Sequence, residues 1–253
     1  MRAPIIAPLL AKVAQDFWQR AGGQAQWPLD LDEAVVFAFP LTVVALPDLH
    51  TGQIEHWLEE RRTAHRFPCA SRHLHGCLVV DRGAGFIFID QQDDEAERRF
   101  TVAHELAHFL IDYWLVRQRV VEALGPGIRD VLDGLRPPTV EERFQSILSE
   151  VPLKPYTHLL EKEGTGSFLR SNVWTAENRA DRLGLELMAP AEHVCTELRS
   201  AGDTDNYFIC QTKARKLLLK KYGLPETAAD VYARNVARDI TGGPSILESW
   251  GLE

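Results

Sequence analysis

The spacing of apolar and polar positions predicts helices over most of the chain and strands in one short region. A helical stretch over residues 8–21 opens near Pro8, a residue suited to a first helical turn. It leads into a mixed segment, WPLDLDEAVVFAFPLTVVALPDL, and then into TGQIEHWLEERRTAHRF, whose spacing is again helical. CLVV and GFIFID are rich in β-branched and aromatic residues and flank DRGAG, so residues 74–90 are predicted to form a β-hairpin. In the acidic connector QQDDEAE, Asp94 and Glu97 have the spacing of an N-cap and its partner at the third helical residue, and negative charge suits a helix start. RRFTVAHELAHFLIDY should therefore be a helix of about 16 to 20 residues entered directly from a strand.

Downstream, GPG at 125–127 and RPP at 136–138 punctuate short helical pieces, and TVEE at 139–142 carries a capping-box signature. TAENRADRLGLELMAP reads as a helix that stops at Pro190, and the tail from 191 to 253 reads as mostly helical. There are no internal repeats and no low-complexity tract.

Composition narrows the class. The 253 residues are 45% hydrophobic and 25% charged, the balance of a globular chain with ample core. A net charge of -8 argues against nucleic acid and anionic membranes as general partners. Pro4, Pro8 and Lys12 interrupt the apolar run an export signal needs, and no run approaches the roughly 18 to 20 residues that cross a bilayer. Cys69, Cys77, Cys195 and Cys210 form no C-x-x-C pair, so reduced thiols and a cytoplasmic location are expected.

The candidate chemistry lies in HELAH. On a helix, residues four apart project together, so His104 and His108 can grip one metal ion, while Glu105 is turned about 100° away and is placed to act as general base. A catalytic zinc site usually has a third protein ligand. Glu177 and Asp181, at i and i+4 on the predicted helix, are the leading candidates: Glu177 as ligand, Asp181 as acceptor for the outer nitrogen of a ligating histidine. Ala180 and Gly184 would let that helix pack close to the first. Glu141, Glu142, His158, Glu186 and His193 compete for the third position.

RRFTVAHELAHFL followed by AENRADRLGLELMAP, with the lead-in HGCLVVDRGAGFIFIDQQDD, resembles the ImmA/IrrE family of metallopeptidases over roughly residues 35–190. The resemblance implies an α+β, zincin-like core, a small mixed sheet packed on an active-site helix, with zinc or manganese as cofactor. His104 and His108 then match the histidine ligands, Glu105 the catalytic base and Glu177 the third ligand; Asp181 falls where the family commonly has Asn. The implied activity is endopeptidase cleavage of a separate helix-turn-helix repressor of the XRE type, in stress response or mobile-element control, with no direct contact to nucleic acid. The wide separation of His108 and Glu177 suggests an inserted helical lobe at about 113–172 within a domain spanning 1–190, followed by a C-terminal helical region, 191–253.

Further expectations concern neighbouring residues and rival functions. Tyr156 and His158 in PYTHLL are candidate helpers for a tetrahedral oxyanion, weighed against ordinary loop or core roles. Strand 86–89 is a candidate for pairing with an extended substrate segment. Two rivals stand beside the peptidase: a deformylase-like metallohydrolase using Cys77, and a nonenzymatic regulator that binds a transcription factor, or DNA through KARKLLLKKYG. His73 and His75 in SRHLHG are better suited to packing or surface roles than to metal.

Overall fold

A computed structural model describes residues 5–23, 26–63, 65–67, 71–81, 83–148, 156–161, 171–202 and 206–244. The chain begins with α1 (Pro8–Arg20), α2 (Leu31–Ala38), β1 (Leu41–Leu46) and α3 (Thr51–Glu60), so the mixed segment resolves into a helix and a strand. The hairpin follows as β2 (Leu74–Asp81) and β3 (Ala84–Asp90). β3 runs into α4 (Glu95–His108), whose N-cap Asp94 accepts a hydrogen bond from the Glu97 backbone N–H. Instead of ending after the expected length, the helix passes through a π-helical stretch, Phe109–Trp114, into α5 (Leu115–Leu124) and stops at Gly125, whose φ of 83° suits glycine.

Two short helices follow, α6 (Arg129–Leu132) and α7 (Val140–Leu148). At the start of α7 the capping box is reciprocal: the Thr139 N–H donates to the Glu142 carboxylate and the Glu142 N–H to the Thr139 hydroxyl. The region expected to be a helical lobe also supplies a strand, β4 (Tyr156–Glu161), which joins the sheet. Its hydrogen bonds are satisfied by β2, some eighty residues earlier in the sequence, and a local reading of 113–172 could not anticipate such a partner. Then come α8 (Ser171–Met188), α9 (Ala191–Ser200), α10 (Tyr207–Lys220) and α11 (Glu226–Thr241).

The sheet order is β1-β3-β2-β4, with β1 parallel to β3 and the other pairs antiparallel. Strand alternation divides its side chains between two cores. Leu78, Val80, Ile87 and Ile89 face α4, while Cys77, Val79 and Phe88 face α3 with Leu49, Ile54 and Leu58. The first core runs without a break from α1 through α4 and α8 to the C-terminal helices, taking in Phe17, Val102, Leu187, Leu218, Tyr222 and Tyr232. Two long-range bonds pin it: the Trp18 indole donates to the Leu187 carbonyl at 3.2 Å and the Tyr232 hydroxyl to the Ala189 carbonyl at 2.9 Å.

In KARKLLLKKYG, Leu218 is fully buried on the core-facing side of the helix, while two of the basic residues are ion-paired, Arg215 with Asp230 and Lys221 with Glu197. Among the described residues no helix is long and apolar enough to cross a membrane.

Candidate metal centre

The last turns of α4 are buried on every side, which is unusual for His and Glu. Thr101 through His108 are all inaccessible, with His104 at 2%, Glu105 at 0% and His108 at 1% exposure. Such polar side chains tolerate burial only where partners replace water. The partners come largely from α8. Ala180 and Gly184 let it lie close: a Cβ on Gly184 would sit 3.5 Å from the backbone of Ala103 and His104.

That approach carries Glu177 to the histidines. Its Oε2 stands 3.4 Å from His104 Nε2 and 3.7 Å from His108 Nε2, and the two imidazole centroids are 4.8 Å apart. Among the described residues, His104, His108 and Glu177 form the one group of potential ligands that could hold a metal ion, with their ligand atoms all within 4.8 Å of one another. The donor chemistry suits a divalent cation such as zinc: two imidazole nitrogens and a carboxylate converge, and each ring is backed at its other nitrogen. His104 Nδ1 is 2.9 Å from Asp181 Oδ1, and His108 Nδ1 is 2.8 Å from Asp112 Oδ2. A carboxylate at Nδ1 holds the proton there and directs Nε2 toward the centre. Burial alone would lower the pKa of His104, but the hydrogen bonds with Asp181 and Glu177 and the charge of Glu105 outweigh it and raise it to about 9.

Glu105 lies beside β2. A Cβ at Gly76 would come within 2.5 Å of Thr101 Cγ2 and 3.1 Å of Glu105 Oε1, so a glycine is what allows the strand and the histidine helix to touch here. Gly76, Asp112 and the Arg179 that pairs with Asp112 were not anticipated from sequence. Two signals for them exist: a glycine inside a strand pattern marks a close backbone approach, and Asp112 is one turn beyond His108.

The other candidates sit elsewhere. Glu186 accepts a hydrogen bond from the Ala191 N–H at the start of α9, Glu142 pairs with Arg136, and the ring of His193 meets that of Trp27. Glu141 lies on the exposed first turn of α7. Tyr156 and His158 belong to β4, not to a loop, in register with Val80 and Leu78; their side chains lie outside the described residues. His73 pairs with Asp48 and His75 with Asp93, so the two are separately engaged. Cys77 points to the α3 side of the sheet, and burial, with the nearby Glu105 charge, pushes its thiol well above the usual range. A protonated thiol on the opposite face makes a poor ligand for this centre.

Residues 61–121 match the family model described as the IrrE N-terminal-like domain, Peptidase_M78. No curated protein and no solved structure matches the chain. The matched segment takes in the hairpin, α4 and the π-helical stretch, and ends well before Glu177. Residues 61–121 are thus similar to an IrrE N-terminal-like domain of the Peptidase_M78 type.

Proposed function

We propose that this protein is a zinc-dependent endopeptidase, with manganese as a second candidate metal, and that its substrate is a helix-turn-helix repressor of the XRE type. The observation that carries the reading is the convergence of His104 Nε2, His108 Nε2 and Glu177 Oε2 beside a fully buried Glu105. A bound divalent cation supplies Lewis acidity, lowering the pKa of water and polarising a scissile carbonyl. His104, His108 and Glu177 hold it; Asp181 and Asp112 orient the rings. Glu105 takes a proton from the attacking water and passes it to the leaving amine, the transfer that lets a poor leaving group depart at neutral pH.

An extended substrate needs a free strand edge. β3, the strand favoured from sequence, is flanked by β1 and β2 and has no edge to offer. β4 pairs on one side only among the described residues, and its register sets Leu160 opposite Gly76, the residue that touches Glu105. Its outer edge is therefore the better support for β-augmentation, which favours a flexible linker of the repressor over a folded surface.

The test incubates the purified protein, wild type and Glu105→Gln, with a panel of helix-turn-helix repressors of the XRE type. Wild type should cleave; the variant should retain metal and lose cleavage by a factor of 10² or more. Cleavage by both, or by neither despite bound metal, defeats the reading.

A further inference from the structure

The two histidines are backed by carboxylates that are held in different ways. Asp181 is half exposed, at 52%, and besides His104 no Lys or Arg is paired with it among the described residues. Asp112 is only 18% exposed, and its two oxygens are divided between partners. Oδ2 faces His108 Nδ1 at 2.8 Å, and Oδ1 accepts a hydrogen bond from Arg179 Nη2. Asp112 belongs to the π-helical stretch that prolongs α4, whereas Arg179 stands on α8, two residues beyond Glu177.

We propose that Arg179 is a positioning residue for the metal centre, acting through Asp112. A carboxylate bound only to an imidazole can swing about its own side-chain torsion and carry the ring with it. With Oδ1 gripped by a guanidinium, Oδ2 is fixed toward His108 and the ring is set before any metal arrives. The same contact ties α8 to the prolonged histidine helix beside Glu177, so one ion pair fixes the direction of His108 and the separation of Glu177 from both rings. Arg179 touches neither metal nor substrate in this scheme. A lysine there would keep the charge but not the planar, directional donors, so it should substitute only in part.

This inference rests on the metal-site reading above, and the experiment separates the two. Zinc affinity of the full chain is measured by competition with a chromophoric chelator for wild type, Arg179→Met and Arg179→Lys. Each is measured alone and with Asp112→Asn, alongside the melting temperature of the metal-free proteins. Arg179→Met should weaken zinc binding about 10- to 100-fold, the range seen when support of a ligand is removed. Arg179→Lys should fall between it and wild type. In the Asp112→Asn background, Arg179→Met should change affinity less than about twofold, because the route through Asp112 is already cut.

Wild-type affinity in Arg179→Met, or an undiminished loss in the Asp112→Asn background, overturns the proposal. If Arg179→Met does not fold, Arg179→Lys carries the same cycle: a several-fold loss that vanishes with Asp112→Asn supports the role, and wild-type affinity overturns it. A wild-type chain that binds no zinc defeats the metal-site reading itself. One that binds a single zinc beside an unaffected Arg179→Met defeats only the role of Arg179.

Discussion

α4 and α8 build the two halves of the candidate centre by opposite routes. In α4 the two histidines and Glu105 are brought together by helical geometry alone, and any helix carrying HELAH would align them. In α8 nothing local aims Glu177 at anything; it arrives because Ala180 and Gly184 let one helix close on another across the whole 113–170 excursion. The first half is a property of a short string and the second a property of the fold. A five-residue motif therefore names a chemistry without completing a site.

The sharpest way to break this comparison is to remove a ligand from each half. His108→Ala and Glu177→Ala should both lose stoichiometric zinc on dialysis, read by elemental analysis of the purified proteins. If Glu177→Ala keeps wild-type zinc while His108→Ala does not, α8 is a packing element and no part of the centre.

The close approaches that assemble the halves give a second contrast. Gly76→Ala would drive a methyl group to within 2.5 Å of Thr101 Cγ2, and should cost about 1–3 kcal/mol as strand and helix separate. Gly184→Ala meets nothing nearer than 3.5 Å, and better helix propensity should leave it neutral or stabilised by up to about 1 kcal/mol. Urea unfolding of the metal-free proteins distinguishes them, and equal effects would mean that the two interfaces are not packed as described.

Protons provide the finest test. In the metal-free protein the pKa of His104 is raised from 6.5 to about 9, so its contribution to folding is fully present below pH 6.5 and is lost as pH rises through about 9. Zinc requires the neutral ring, so the apparent affinity of the folded protein should rise about tenfold per pH unit on account of His104 as pH approaches about 9, then level off. Calorimetry in buffers of different ionisation enthalpy should detect this proton release at pH 7.5. Asp181→Asn should diminish it, and an unchanged release would place the proton elsewhere.

Much of the α4 half was legible because it is local. The Asp94–Glu97 start, the hairpin before it and the His104/His108 pairing each involve residues within one element or one turn. Glu177 and Asp181 could be singled out as a ligand and its neighbour behind a histidine because two carboxylates on one helical face are unfavourable without a cation nearby, whereas the packing that brings α8 to α4 is not written in either helix alone. β4 escaped notice because an isolated six-residue strand has no local partner, and its pairing with β2 is a long-range contact. Asp112 was hidden in a run that looked like the apolar continuation of the helix, and nothing in that run announces a π-helical stretch. Gly76 carries no functional group to draw notice in the sequence, and its missing side chain is what matters.

The distance along the chain between the halves has a consequence in time. During synthesis at roughly 5–20 residues per second, His104 and His108 leave the ribosome several seconds before Glu177 does. For that interval the nascent chain carries HELAH with two candidate ligands and no third. A candidate centre built across the β4 excursion comes together only when α8 docks, so closing the α4–α8 interface and gathering the three candidate ligands are one event.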